Sequence, residues 1–94
     1  MPRIIAHLQI DNFDQWINVF KKHASARKQA GFTKSRVFQD DANAHKVTVQ
    51  LDCDDLVCAR KFMESENLHQ EMKKSGVLMK PEIHYLNNGE TMED

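Results

Sequence analysis

The chain has 94 residues, with 13 Lys and Arg against 14 Asp and Glu, a formal net charge of −1 and 40% hydrophobic residues. That is the composition of one folded domain and not of a disordered chain. It excludes a membrane span, because no apolar run approaches the roughly 18 residues needed. Two cysteines cannot build a disulfide framework, and there is no excess of base to attract nucleic acid.

The charge is uneven along the chain. The segment 87–94 holds Glu90, Glu93 and Asp94 and no base, so residues 1–86 carry a net +2. The expected organisation is one domain over 1–86 and a loose acidic tail over 87–94. The opening Met1-Pro2-Arg3-Ile4-Ile5-Ala6-His7 turns polar too early for a secretory leader, which points to a cytoplasmic protein.

The first element is a strand from Arg3 to Ile10. Ile4, Ala6, Leu8 and Ile10 share one face at period two, while Arg3, Ile5, His7 and Gln9 share the other. Asn12, with Gln15 three residues on, is a helix N-cap. Phe13, Trp16, Ile17, Phe20 and Ala24, extended by Arg27 and Ala30, form the stripe of a helix that Gly31 ends. Phe13, Trp16 and Phe20 are core residues against the sheet, and His23 with Arg27 reads as a solvated surface pair.

A second strand over Phe32–Gln39 puts Phe32, Lys34, Arg36 and Phe38 on one face. A polar turn over 40–45 leads to the third strand, Lys46–Cys53, in which Val47, Val49, Leu51 and Cys53 alternate with Lys46, Thr48, Gln50 and Asp52. Asp54 is the expected cap of the next helix, with Leu56, Ala59, Phe62 and Met63 inward. Ser65 caps a further short helix that carries Leu68 and Met72 inward and stops at Ser75-Gly76. A short last strand lies within Pro81–Leu86, with Pro81 at its start or edge.

The order β-α-β-β-α-β predicts a ferredoxin-like α+β domain: a four-stranded antiparallel sheet, helices on one face, first and third strands central. The other face then presents Ile5, His7, Gln9, Thr48 and Gln50, with Phe32 and Phe38. A surface of that mixed character calls for a partner, and the simplest is a second copy on a two-fold axis.

Candidate chemistry gathers on that face. His7 and His84, on neighbouring strands, could pass a proton, since free histidine titrates near pH ~6.5. Without a carboxylate close by they make an incomplete metal site, so no metal is expected. Gln9, Thr48 and Gln50 would orient a ligand, and Arg36 would hold an oxyanion. Cys53 and Cys58 lack the spacing of a metal site and read as small buried hydrophobes, and Met63, Met72 and Met79 as filler. An RNA-recognition role needs aromatics on the open face of the first and third strands, where this chain has His7, Thr48 and Gln50.

The sequence resembles the dimeric α/β-barrel superfamily, which holds the antibiotic-biosynthesis-monooxygenase-like and small cyclase-like proteins. The resemblance runs over residues 3–86. It rests on Asp14-Gln15-Trp16, Gly31, Asp55-Leu56 with Ala59 and Phe62, Ser65 to Leu68, Gly76-Val77 and Pro81. It implies a homodimer with facing sheets and a ligand-sized cavity in each protomer. Its oxygenase members use Trp, Tyr, Asn and Arg groups, for which Arg36 and Tyr85 are counterparts by type. The haem-degrading set does not carry over, because the one Trp, Trp16, opens the first helix. The resulting expectation is a cofactor-independent monooxygenase-like or cyclase-like enzyme acting on a small aromatic or enolisable molecule between the sheets, with His7 and His84 catalytic and Gln9, Arg36, Thr48, Gln50 and Tyr85 at the ligand. The alternative is a non-catalytic ligand-binding or assembly dimer.

Overall fold

A computed structural model describes residues 2–87 and 89–93. The elements in chain order are β1 (Arg3–Gln9), α1 (Phe13–Lys22), α2 (Ala24–Gln29), β2 (Phe32–Gln39), β3 (Lys46–Cys53), α3 (Leu56–Met63), α4 (Glu66–Lys74) and β4 (Glu82–Leu86). The sheet order is β2-β3-β1-β4 and all three pairings are antiparallel. This is the ferredoxin-like plan, with β1 and β3 central as their clean alternation requires. Of the acidic tail, residues 89–93 carry no helix or strand, and Asn88 and Asp94 lie outside the described residues.

Alternation decides which face is buried. Ile4, Ala6, Leu8 and Ile10 of the β1 line, and Val47, Val49, Leu51 and Cys53 of β3, are all buried under the helices. Trp16, Ala59 and Met63 come down onto them. Each Val, Leu, Ile or Met side chain among them is worth about 1.5–3 kcal/mol. The partly exposed Arg3–Asp52 ion pair on the opposite face, at 2.7 Å, adds about 0–1 kcal/mol. Burial on the helix side therefore holds the fold.

The caps explain where the helices begin. The Asn12 carboxamide accepts from the Gln15 N–H at 3.0 Å, and Ser65 Oγ from the Leu68 N–H at 3.3 Å. The α3 cap is Asp55, not Asp54: its carboxylate accepts from the Val57 N–H at 2.8 Å. Asp54 N–H is instead committed to the Gly31 carbonyl at 3.0 Å, which ties the end of β3 to the start of β2. Gly31 and Gly76, each with φ of 93°, end α2 and α4 in the left-handed region that glycine adopts without strain.

Two elements depart from the sequence pattern. The stripe through residues 13–30 is broken at His23 into α1 and α2. In β2, a register shift between Phe32 and Lys34 places Phe32 opposite Cys53 and Lys34 opposite Asp52. One extra residue flips the strand's phase. Phe32 and Phe38 consequently lie on opposite faces. Phe32 is 5% exposed, edge-on to Phe62 with ring centres 5.5 Å apart, whereas Phe38 is 50% exposed on the open face.

The cysteines also differ from each other. Cys53 is fully buried, and burial followed by the neighbouring Asp52, Asp54 and Asp55 carboxylates pushes its thiol pKa up. Cys58 is exposed, its Sγ 3.7 Å from Asp55 Oδ2, because its position on α3 faces away from the sheet. Met79, expected as filler, is exposed too.

The bulge has a direct test in chemical denaturation. Phe32→Ala is expected to cost about 3–5 kcal/mol of stability, and Phe38→Ala less than about 1 kcal/mol. Equal losses at the two positions would contradict the assigned phase.

Candidate functional site

The open face is built in three rungs by the strand register. One runs Phe38, Thr48, His7, Glu82; the next Arg36, Gln50, Ile5, His84; the third Lys34, Asp52, Arg3, Leu86. His7, His84, Thr48, Gln50 and Arg36 are thus brought onto one surface, and Gln9 flanks it. His7 Nδ1 and Thr48 Oγ1 share a hydrogen bond of 3.1 Å, and the rings of His7 and His84 meet edge-on with centres 5.8 Å apart. The sequence reading had no carboxylate beside this pair. The register supplies one: Glu82 sits directly across from His7 and accepts from His84 Nε2 at 3.1 Å. Among the described residues, no group of three or more His, Cys, Asp or Glu side chains is placed to hold a metal ion.

The chain leaves a shallow opening next to His7. Past Glu82 the β4 side of the sheet is resumed by the Leu78 N–H bonding the Gln9 carbonyl at 2.9 Å, the Ile10–Val77 bridge and the Asp11 N–H bonding the Gly76 carbonyl at 2.9 Å. Residues 79–81 swing out between these points. They leave an open depression of about 560 Å³ bounded by His7, Gln9, Thr48, Lys46, Lys80 and Glu82.

Tyr85 does not join this group. It pairs with Ile4 and so faces the helices, where the Arg60 guanidinium lies 4.0 Å from its ring centre. Burial and then the Glu64 carboxylate push its phenol pKa up, against the opposing influence of Arg60. Tyr85 is a packing residue with a cation on its ring, and period two along β4 separates it from His84.

A second site lies on the other side of the sheet. Between the helices and the floor formed by Ala6, Leu8, Val49 and Leu51 is a cavity of about 80 Å³, with Trp16, Phe20, Phe62, Leu68 and Met72 among its walls. Four polar residues line this mostly apolar space: His23, Arg27, Glu71 and Ser75, the last with its hydroxyl bonded to the Met72 carbonyl. The first two are not the solvated pair expected from the sequence. At the break between α1 and α2 the His23 N–H turns to the Phe20 carbonyl at 3.3 Å, which leaves the Val19 carbonyl free, and the two side chains bond these carbonyls. His23 Nδ1–H donates to the Val19 carbonyl at 2.8 Å, and Arg27 donates to the Phe20 carbonyl at 2.6 Å while stacking 3.8 Å from the Phe20 ring centre. Burial lowers the Arg27 pKa, and a guanidinium keeps its charge through such a shift.

From α4, Glu71 Oε2 comes within 3.5 Å of His23 Nε2, and Lys74 Nζ lies 3.9 Å from Glu71 Oε1. An apolar pocket with a few convergent polar groups is the usual form of a small-molecule site. The signal for it was present in the sequence: Trp16, Phe20, His23 and Arg27 continue one helical stripe at spacings of 4, 3 and 4.

No protein-family model matches the sequence, and no curated protein matches it. Solved structures do. The cofactor-independent oxygenase SnoaB from Streptomyces nogalater superposes with a TM-score of 0.76 at 9% identity, over 99% of this chain and 97% of that one. An antibiotic biosynthesis monooxygenase aligns with a TM-score of 0.71 at 10% identity, over 96% of this chain and 100% of that one. The chain has the antibiotic biosynthesis monooxygenase fold. The same fold is seen in a conserved protein from Methanosarcina mazei Go1, with a TM-score of 0.71 at 15% identity over 94% and 92% of the two chains. At these identities the likeness is one of architecture. No helix of the described residues is long and apolar enough to cross a membrane.

The His23 geometry predicts a spectroscopic result. Because a carbonyl can only accept, Nδ1 must carry the hydrogen. Nitrogen-15 NMR of the imidazoles should show a protonated Nδ1 on His23, protected from solvent exchange. A His23 ring protonated only at Nε2 would contradict the capping bond.

Proposed function

We propose that the chain works as a homodimer joined through its open sheet face, and that each protomer binds and turns over a small aromatic or enolisable molecule without a bound cofactor. The observation that carries this reading is the convergence of His23, Arg27 and Glu71 on the apolar cavity above the sheet. The part-buried Arg27 guanidinium stands beside a mostly apolar wall, where a charge acts on a ligand more strongly than in water. The shared fold with SnoaB, itself a cofactor-independent oxygenase, supports the cofactor-free part.

The dimer is supported by what the open face holds. Ile5 lies at its middle, Phe38 and Leu86 are exposed at its edges, and His7, Thr48, Gln50 and Glu82 stand between them. Burial of such a mixed surface against a second copy gives both the apolar and the hydrogen-bonding groups partners.

A second reading places the chemistry between the facing sheets. It has its own observation: His7 held by Thr48, and His84 held by Glu82, with the two rings in contact. There the histidines would move a proton, while Gln9, Gln50 and Arg36 would orient the ligand and hold its oxyanion. It ranks second because the depression beside His7 is lined mostly by polar and charged groups, whereas the helix-side cavity is lined mostly by apolar ones.

Sedimentation equilibrium tests the dimer. The expected mass at micromolar concentration is twice the chain's 10.9 kDa. Ile5→Glu, a charge at the centre of the face, should give a monomer with an unchanged far-ultraviolet spectrum. A wild-type mass near one chain would overturn the proposal. Replacement of both His7 and His84 by Ala should leave ligand turnover intact, and its loss in a well-folded dimer would shift the site to the inter-sheet space.

A further inference from the structure

We infer that His7 and His84 form one half of a divalent transition-metal site, of the kind zinc takes, which a second copy of the chain completes with the same two residues across the open sheet face. This rests on the reading of that face as the dimer interface and adds an ion at its centre. The ion joins the two sheets and lies apart from the helix-side cavity.

The strand register brings the pair together. His7 stands opposite Glu82 and His84 opposite Ile5, so the two histidines are diagonal neighbours on β1 and β4. Their ring centres are 5.8 Å apart. With Zn–N bonds of about 2.0–2.1 Å, two imidazoles on one tetrahedral ion have centres roughly 5 Å apart. Both side chains are exposed, and a small rotation of the rings closes the difference.

The hydrogen bonds leave one nitrogen of each ring for a metal. An ionised carboxylate can only accept, so His84 Nε2–H donates to Glu82 Oε1 at 3.1 Å and Nδ1 keeps its lone pair. His7 Nδ1 lies 3.1 Å from Thr48 Oγ1, and with its hydrogen donated there the lone pair falls on Nε2. Neither remaining nitrogen has a partner among the described residues. An oxygen acceptor on the far nitrogen of a ligating histidine fixes its tautomer and orientation. Glu82 is that group for His84, and Thr48 for His7.

One protomer holds only half of the site. Zinc takes four ligands, and among the described residues no third His, Cys, Asp or Glu is placed to join the pair. His84 lies across from Ile5 at the middle of the open face, where a two-fold axis sets a residue against its own copy. Two copies then supply four imidazole nitrogens. The neighbouring charges permit a cation there. Arg3 is turned to Asp52 at 2.7 Å. Arg36 ends the Ile5–His84 rung three strands away, Lys46 lies past His7 opposite Gln9, and Lys80 borders the depression there.

The test uses the full chain freed of metal with a chelator and carrying Cys58→Ser, which removes the exposed thiol as a competing ligand. Titration with Co²⁺ should saturate at one ion per two chains and give the strong visible absorption of a tetrahedral site. In sedimentation equilibrium, Zn²⁺ should lower the dimer dissociation constant at least about tenfold. His7→Ala and His84→Ala should each abolish the cobalt absorption and the effect of zinc. Glu82→Gln should weaken zinc binding about 10–100-fold and keep the tetrahedral absorption at saturation. One ion per chain, or binding that survives both histidine replacements, would overturn the shared site. A dimer whose dissociation constant ignores zinc would overturn the inference and leave the dimer standing. A monomer with and without zinc would overturn the open-face dimer as well.

Discussion

Successive side chains of a strand point to opposite faces, and in this fold helices cover only one of them. Every apolar position of β1 and β3 except Ile5 falls on the covered side, which gives the chain a continuous floor of small and medium apolar groups. The helices dock on that floor through Trp16, Ala59 and Met63. The same alternation sends His7, Thr48, Gln50 and Asp52 to the open side, so one geometric rule creates both the core and the surface that needs a partner. Exposed ion pairs at the level of Arg3–Asp52 are too weak to alter this division.

The helix-side cavity follows from a second constraint, the break at His23. A continuous helix through residue 30 would bond its carbonyls internally and leave His23 and Arg27 without a backbone task. The break releases the Val19 carbonyl and leaves the Phe20 carbonyl with a long 3.3 Å bond from the His23 N–H, and the His23 and Arg27 side chains bond them. A structural demand thereby carries a titratable group and a fixed cation to the wall of an apolar space. Glu71 completes the set because α4 presents Leu68, Glu71, Met72 and Ser75 along one stripe.

Much of this was legible in the sequence. β3 shows unbroken alternation and β1 one fully apolar face, and Asn12, Ser65, Gly31 and Gly76 carry cap chemistry specific enough to fix the element ends. The β2 bulge was not legible, because Thr33, Lys34 and Ser35 are all polar and give no phase to follow. The break at His23 was hidden by Ala24, Ser25 and Ala26, which suit a helix. Asp54 and Asp55 are equally good caps by type, and the bonds from Val57 to Asp55 and from Asp54 to Gly31 separate them. On β4, Ile83 and Tyr85 are half-buried under helices that end nearby, so His84 and Tyr85 compete for the inward phase until the pairing with β1 decides it. The open-face residues were found because they alternate. His23 and Arg27 were missed because polar residues on an apolar stripe read as surface unless their backbone partners are known.

The two faces make opposite claims about where a ligand sits, and methyl groups on each side can report it. With Met, Ile and Leu methyls labelled, titration with 4-nitrophenol should shift the Met63 and Met72 signals and leave those of Ile5 and Leu86 in place. Shifts at Ile5 and Leu86, with Met63 and Met72 unmoved, would put the ligand on the open face and contradict the assignment of the helix-side cavity as the binding site.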